Sequence, residues 1–574
     1  MRGNYDKYPY VRISDDDAGC DVGWRSIFHR IERLMSAGPF VVCVECYPGV
    51  FEDDIKSAVA EHFPSAVLVE ASRFLKSPPQ IEALVSLDLT DDLVFGHLTL
   101  LELNDFFGKI PRSASTASLR FVIGTGATLV FPEHDLLIYA SVARWEIQQR
   151  QRRNEIGNLG IDNREASAAE KYKRAFFVDW RVADRLKKEV LPRIDFLLDA
   201  NEGQKPKMIS GDCYRDALAQ TVKRPFRLVP FFDPGPWGGQ WMREVCDLPD
   251  GPPNYAWCFD CVPEENSLLL GFGEIRLEVP AIDLVFLHPR ALLGDAVHAR
   301  FGTQFPIRFD LLDTIQGGNL SLQVHPLTEY IQQQFGMHYT QDESYYLLDA
   351  GDDACVHLGV REGVNRVAMA AELNASQASG KPFDAEKHVN VWPARKHDHF
   401  LIPAGTIHCS GKNSMVLEIS ATPYIFTFKL WDWGRLGLDG KPRPIHLKHG
   451  ISNIQWDRDT EWTRRELVNR LDPVADGDGW REERTGLHER EFIETRRHWF
   501  TKPVSHHTNG GVNVLNLVEG DEVIVESPNN AFAPFTIHYA ESFIVPAAVG
   551  PYTITPSMPG SKFATVKAFV RSNA

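Results

Sequence analysis

The residues best suited to chemistry lie between positions 320 and 408. Strand alternation over residues 320–326 predicts that Gln323 and His325 share one face. Glu343 begins an apolar run, and His408 ends a turn that contains proline and glycine. Two imidazoles, one carboxylate and one amide oxygen suit a borderline divalent metal such as zinc. Histidines in such places are also common as hydrogen-bonded structural residues, so residue types and spacing leave both interpretations open.

Two other histidine pairs give a weaker signal. His397 and His399, and likewise His506 and His507, stand in polar segments. For these four residues we predict solvated loops rather than a metal site.

Six short motifs follow one another in a fixed order over about 340 residues. They are a Trp-Gly-Gly segment, a Phe-Pro strand, a Gln-x-His-Pro strand, a Pro-x-Gly-Thr-Ile-His turn, an Asp-Trp segment and a Gly-Lys-x-Arg segment, at 236–239, 305–313, 321–326, 403–408, 429–435 and 440–446. In these motifs the chain from about residue 230 to the end resembles class I mannose-6-phosphate isomerases, which are zinc-dependent cupins.

The resemblance implies a ligand set and a reaction. It implies that Gln323, His325, Glu343 and His408 bind one Zn²⁺, or another divalent metal, per chain. The reaction it implies is aldose–ketose isomerisation of mannose 6-phosphate and fructose 6-phosphate or of a related sugar. A Lewis-acid metal and a positioned acid or base serve such a proton transfer.

Two further residues are catalytic candidates. Lys429 stands where the family has an arginine, and it keeps the positive charge without the planar fork. Asp432, three residues later, is the second candidate. A solvated lysine and a turn-capping aspartate are the alternative interpretations.

Near the implied metal ligands, this chain lacks lysines that the family usually has. Lysines usual in the family are replaced by Asp310, by the pair at 341–342 and by the segment 327–329. Unpaired carboxylates repel a phosphate dianion, although Arg308, Arg435 and Lys441 could compensate. The sequence is therefore compatible with either a free sugar or a sugar phosphate as the substrate. The alternative function is a non-catalytic sugar-sensing or regulatory protein built on a decayed kinase and isomerase.

The first 224 residues alternate strand-like and helical runs, which predicts a mostly parallel, helix-covered α/β sheet. This segment weakly resembles the uridine-kinase-like branch of P-loop nucleotide kinases. A phosphate-binding loop needs several glycines and a Gly-Lys-Ser/Thr ending. The loop at 45–54 has one glycine, no lysine and several carboxylates. We therefore expect a degenerate, non-catalytic domain.

These elements predict a multidomain chain, with a P-loop-kinase-like α/β domain followed by a mostly-β double cupin, or jelly-roll, module. Residues 1–224 form the kinase-like domain, 225–490 the metal-binding cupin, and 491–574 cupin strands without metal ligands. The last assignment rests on segment 543–550, which resembles 400–408 but lacks the histidine.

Composition and charge limit the classes of partner that we expect for this protein. The 574 residues carry a net charge of −16, which is unsuited to a nucleic-acid binder. No apolar run reaches the ~18 residues of a membrane span, and no signal peptide is recognisable at the start. The expectation is a cytoplasmic enzyme without nucleic-acid or membrane partners, and its oligomeric state stays open.

Overall fold

A computed structural model describes residues 3–14, 19–36, 38–110, 118–422, 425–489, 491–558 and 560–571. The chain divides into two compact units, each made of separate stretches of sequence. The α/β unit comprises Tyr10–Thr221 and Glu264–His288, and the β unit comprises Met1–Pro9, Val222–Pro263 and Pro289–Ala574. The division into 1–224, 225–490 and 491–574 stays a prediction.

The α/β unit is built on a seven-stranded sheet. Five neighbouring strands are mutually parallel, Lys207–Ser210 is antiparallel to the fifth of them, and Asp21–Val22 is antiparallel to Lys207–Ser210 and so runs in the direction of the first five. The spatial order is Val67–Glu70, Leu119–Gly124, Phe40–Cys46, Leu136–Ser141, Phe196–Asp199, Lys207–Ser210 and Asp21–Val22. Apolar runs such as Phe40–Cys46 form the central strands because both faces of a parallel sheet are covered. The predicted mostly parallel sheet is confirmed.

Helices accompany this sheet, and a second sheet completes the unit. The α-helices are Trp24–Leu34, Glu52–His62, Pro78–Leu89, Ala127–Val130, Arg144–Arg152, Ala168–Arg174, Trp180–Val190, Gly211–Thr221 and Ile282–Leu287, and Ala175–Asp179 is a π-helical turn. Short 3₁₀ helices are Ala71–Phe74, Leu103–Phe106 and Leu191–Arg193. The second sheet contains Tyr10–Arg12, Ser267–Phe272 and Ile275–Pro280.

The β unit contains two pairs of antiparallel sheets. In the first pair, the six-stranded site sheet has the order His399–Ile402, Glu343–Ala350, Ser414–Ala421, Ile307–Asp313, Trp257–Cys261, Phe231–Asp233. The five-stranded site sheet has the order Val389–Pro393, Cys355–Val360, His408–Ser410, Leu322–Val324, Phe428–Trp431. Central strands such as Ser414–Ala421 are buried along their whole length. The mostly-β character predicted for this part of the chain is confirmed.

The second pair of sheets lies in the C-terminal part of the β unit. One sheet has the order Asp472–Gly477, Trp480–Gly486, Ile493–Phe500, Phe563–Val570, Asn513–Glu519, Ser542–Val545, and the other Val504–His507, Pro551–Pro556, Glu522–Glu526, Phe535–His538. Alternate residues of both sheets, such as Leu515, Val525 and Ile554, form one apolar core.

Short helices connect the strands of the β unit. The α-helices are Trp241–Val245, Pro289–Leu293, Asp295–Phe301, Thr328–Phe335, Arg366–Ser379, Ala385–His388, Leu447–Asn453 and Thr460–Glu466, and Ala547–Val549 is a 3₁₀ turn. No helix among the described residues is long and apolar enough to cross a membrane.

The interpretation of the two histidine pairs as solvated loops is wrong for His399 and His506, which are buried strand residues, and for His507, which is exposed but also lies in a strand. His399 begins a strand and is fully buried, and His506 is 7% exposed. His507 is exposed because successive residues of the strand Val504–His507 alternate between the two faces. Polar neighbours in the sequence masked this alternation.

The buried His399 predicts a loss of stability in acid. Burial, reinforced by Arg497, lowers its pKa from 6.5 to about 3. An unfolded chain therefore binds a proton at His399 as the pH falls below 6.5, whereas the folded chain binds it only near pH 3. Between pH 7 and pH 5 this histidine costs the folded state about 2 kcal/mol.

Urea unfolding of wild type and His399→Phe at pH 7 and pH 5 tests this prediction. The variant should lose less stability than wild type on acidification, and a substitution of the exposed His507 should leave the pH dependence unchanged. Equal losses in wild type and His399→Phe would contradict it.

Candidate functional site

The four predicted ligands lie close together in the structure. Three of them stand on strands, and the fourth directly follows a strand. Gln323 is in direct antiparallel register with His408 in the five-stranded site sheet, so both side chains point to the same face. His325 follows the strand Leu322–Val324 directly. Glu343 begins a strand of the six-stranded site sheet.

The distances within this group are those of a compact polar cluster. Nε2 of His325 lies 3.0 Å from Oε2 of Glu343, and Nε2 of His408 lies 2.8 Å from Oε1 of the same carboxylate. The amide nitrogen of Gln323 lies 3.2 Å from Nε2 of His408. The two histidines and the glutamate have no exposed surface. Their ligand atoms all lie within 4.8 Å of one another.

Backbone carbonyls orient both imidazoles. Nδ1 of His325 lies 3.1 Å from the carbonyl oxygen of Phe426, and Nδ1 of His408 lies 2.9 Å from that of Thr406. A carbonyl only accepts, so each Nδ1 carries the hydrogen and each Nε2 presents a lone pair to the group. Metal-binding histidines are held in this way.

The charge of Glu343 also fits a cation. Burial alone raises the pKa of Glu343, but His325 and His408 beside it hold that pKa well below its usual range. Gln341 donates a further hydrogen bond of 3.0 Å to Oε2. A buried carboxylate with two imidazole lone pairs directed at the same place is a suitable donor set for a divalent metal. Turning the Gln323 amide would direct its oxygen, rather than its nitrogen, toward the group.

The sequence suggested that Asp310 is an unpaired carboxylate, but in the structure this carboxylate is paired. Arg308 binds it through two hydrogen bonds of 2.9 and 3.0 Å and also lies 2.6 Å from Glu418. All three side chains are buried. Glu418 was missed from the sequence because it stands in an apolar strand and is placed opposite Asp310 only by strand register. The guanidinium of Arg308 is therefore bound within the protein.

Lys429 lies on the same face as the ligand group, directly opposite Gln323. Among the described residues, its ammonium has no hydrogen-bond acceptor or carboxylate in contact. Burial lowers the pKa of Lys429 to about 7; Arg443 and Arg435 add to this effect and Asp432 opposes it. A half-buried, unpaired ammonium in this position can contact a bound molecule.

Asp432 has a different environment from Lys429. It accepts hydrogen bonds from Arg435 at 2.6 Å, from Arg443 at 2.9 Å and from the Ser321 hydroxyl at 3.0 Å. These contacts saturate the carboxylate, so Asp432 is suited to positioning the two arginines. Arg443 belongs to the Gly-Lys-x-Arg motif, which is the sequence signal for its place in this cluster.

In the α/β unit, two carboxylates accept hydrogen bonds from backbone amides of residues 125–128. Glu45 accepts hydrogen bonds from the amides of Gly126 at 2.6 Å and Thr128 at 2.8 Å. Glu52 accepts one from the amide of Thr125 at 3.0 Å. Burial raises the pKa of Glu45 to about 7, although Thr128 and Gly126 stabilise its ionised form. Amides at such turns are typical anion sites, and here the protein's own side chains fill them.

Comparison with known proteins found one family model and several curated relatives, each matching part of the chain. Residues 23–223 match the sequence profile of a domain of unknown function, DUF8485. Mannose-6-phosphate isomerase ManA of Bacillus subtilis is 27% identical over 237 residues, which are 40% of this chain and 68% of that protein. Mannose-6-phosphate isomerase of Streptococcus mutans is 26% identical over 217 residues, 38% of this chain and 63% of that protein.

The crystal structure of the mannose 6-phosphate isomerase from Bacillus subtilis aligns with 60% of this chain and 99% of its own, at 18% identity and a TM-score of 0.49. The sequence matches support an enzyme of the isomerase type.

The site predicts metal binding that depends on His408. Replacing it with alanine removes one of two imidazoles from a buried donor set, so His408→Ala should copurify with far less divalent metal than wild type. Elemental analysis after gel filtration measures this. His357 lies on the neighbouring strand and is equally buried, so His357→Phe is the matched control and should keep its metal. Equal metal in wild type and His408→Ala would refute the prediction.

Proposed function

We propose that this protein is a metal-dependent aldose–ketose isomerase of the mannose-6-phosphate isomerase type, acting on a sugar or sugar phosphate. The observation that carries the proposal is the buried group of His325, Glu343 and His408 beside Gln323. Sequence similarity to curated mannose-6-phosphate isomerases supports the reaction.

Gln323, His325, Glu343 and His408 would hold one divalent metal, with zinc as the first candidate. When bound, the metal supplies a Lewis acid that stabilises negative charge on the oxygens of the reacting carbons. The two carbonyl oxygens behind the imidazoles keep both Nε2 lone pairs directed at the group. Gln341 restrains the Glu343 carboxylate.

Lys429 would contact the substrate. Isomerisation moves a proton between two neighbouring carbons, and negative charge grows on their oxygens as it moves. The ammonium of Lys429 faces the same side of the sheet as Gln323 and has no internal partner among the described residues. It can therefore donate a hydrogen bond to one of these oxygens. Asp432 would hold Arg435 and Arg443 in place beside it.

The substrate's phosphate is the less supported part of the proposal. Arg308 is bound by Asp310 and Glu418, and Arg435 and Arg443 are bound by Asp432. Arg308 therefore has no positive charge left for a dianion, whereas Arg435 and Arg443 share one carboxylate, so one of their two charges stays uncompensated. The same observation favours the second candidate, a sugar-sensing protein without turnover. A panel of free and phosphorylated sugars, beginning with mannose and mannose 6-phosphate, separates the two, because the sensor would bind a sugar without converting it.

Lys429 provides the sharpest test of catalysis. Lys429→Met should lower kcat by at least about a hundredfold, because a charge donor near the developing oxyanion is worth roughly 3 kcal/mol. The Lys429→Met protein should keep its metal, and Lys429→Arg should recover part of kcat. The exposed Lys448 serves as control, since Lys448→Met should retain wild-type kinetics. Unchanged kcat in Lys429→Met would remove this residue from the mechanism.

We infer that the α/β unit is a scaffold that transfers no phosphate, whatever its relation to nucleotide kinases. Glu45 and Glu52 occupy the amides of residues 125–128, and like charge repels a nucleotide's phosphates. The full chain should therefore show no heat of binding with millimolar Mg·ATP in calorimetry. Saturable binding of ATP would contradict the inference.

A further inference from the structure

A second group of potential metal ligands lies on the surface of the α/β unit. His29 and Glu32 stand on the helix Trp24–Leu34, and His62 is the last residue of the helix Glu52–His62. Nδ1 of His29 and Nε2 of His62 each lie 2.9 Å from a different oxygen of the Glu32 carboxylate. The three ligand atoms lie within 4.8 Å of one another.

Local structure holds these side chains toward one another. His29 and Glu32 are three residues apart and therefore neighbours on one helix face. The His62 ring packs against the rings of Phe28 and Phe63, with centroids 5.0 and 4.7 Å away. The two imidazoles meet edge to face at 5.6 Å. Little rearrangement is needed to point all three donors at one place.

We propose that His29, Glu32 and His62 bind a borderline divalent transition metal, with Zn²⁺ as the reference ion. Two imidazole nitrogens and one carboxylate are a known zinc donor set, and a water molecule completes four-coordination. Exposed fractions of 54%, 43% and 25% leave the site open to ions from solvent. No residue of the isomerase motifs takes part.

Metal binding here requires only a change of tautomer. Without metal, each ring donates its hydrogen to Glu32. Moving that hydrogen to the other ring nitrogen leaves a lone pair facing the carboxylate, and the neutral imidazole keeps one proton. The bound ion would link the first two helices of the α/β unit.

The site predicts a second zinc per chain, independent of the proposed catalytic metal. The purified full chain is loaded with one equivalent of Zn²⁺ and then titrated with further Zn²⁺ in a calorimeter. Wild type should show a second saturable binding event with a stoichiometry of one. In the variant with both His29→Ala and His62→Ala this event should weaken at least about a hundredfold, because two of three ligands are lost.

Matched variants distinguish this site from adventitious zinc on surface histidines. His134→Ala, in the same unit and outside the group, should bind the second zinc as wild type does. Glu32→Gln should weaken binding at least about tenfold, because an amide is a poorer ligand than a carboxylate, and it provides a readout should the double variant misfold. Isomerase activity should be unchanged in all of them. Absence of a second event in wild type, or an unaltered event in the double variant or Glu32→Gln, overturns the proposal.

Discussion

The buried carboxylate of Glu343 is the feature on which the rest of the β unit's candidate site depends. An ionised carboxylate without exposed surface must be compensated by hydrogen bonds or positive charge. Here Gln341 donates a hydrogen bond to it, and Nε2 of His325 and Nε2 of His408 lie 3.0 and 2.8 Å from its two oxygens. The two imidazoles are in turn fixed by backbone carbonyls. A divalent cation is the additional charge that this arrangement accommodates.

Charge compensation also governs the surroundings of that carboxylate. Arg308 is bound by Asp310 and Glu418, and Asp432 binds Arg435 and Arg443. The hydrogen bonds within these clusters hold their side chains in place. Lys429 differs from them because its ammonium has no such partner among the described residues. The geometry thus separates a residue that can act on a substrate from residues that hold the site's shape.

In the α/β unit, carboxylates accept hydrogen bonds from backbone amides. At the turn after the strand Leu119–Gly124, carboxylates of Glu45 and Glu52 take the backbone amides that anions commonly use. The unit combines a mostly parallel sheet with a turn whose amides are hydrogen-bonded by carboxylates of the same unit. Its exposed His29, Glu32 and His62 offer a different ligand chemistry, suited to a cation and located on the helices.

The sequence by itself determined the ligand candidates, because Gln323, His325 and His408 occur within short motifs whose order is specific, and Glu343 begins an apolar run between two of these motifs. It also determined the parallel sheet of the α/β unit, since apolar runs alternate with amphipathic helices. The buried positions of His399 and His506 escaped prediction because polar neighbours hid a two-residue alternation. Only the tertiary structure decided that Glu418 joins Arg308 and Asp310, that Lys429 lies opposite Gln323, and that His62 meets His29 and Glu32. Strand register and helix packing set these contacts between residues distant in sequence, and local composition carries no record of such distances.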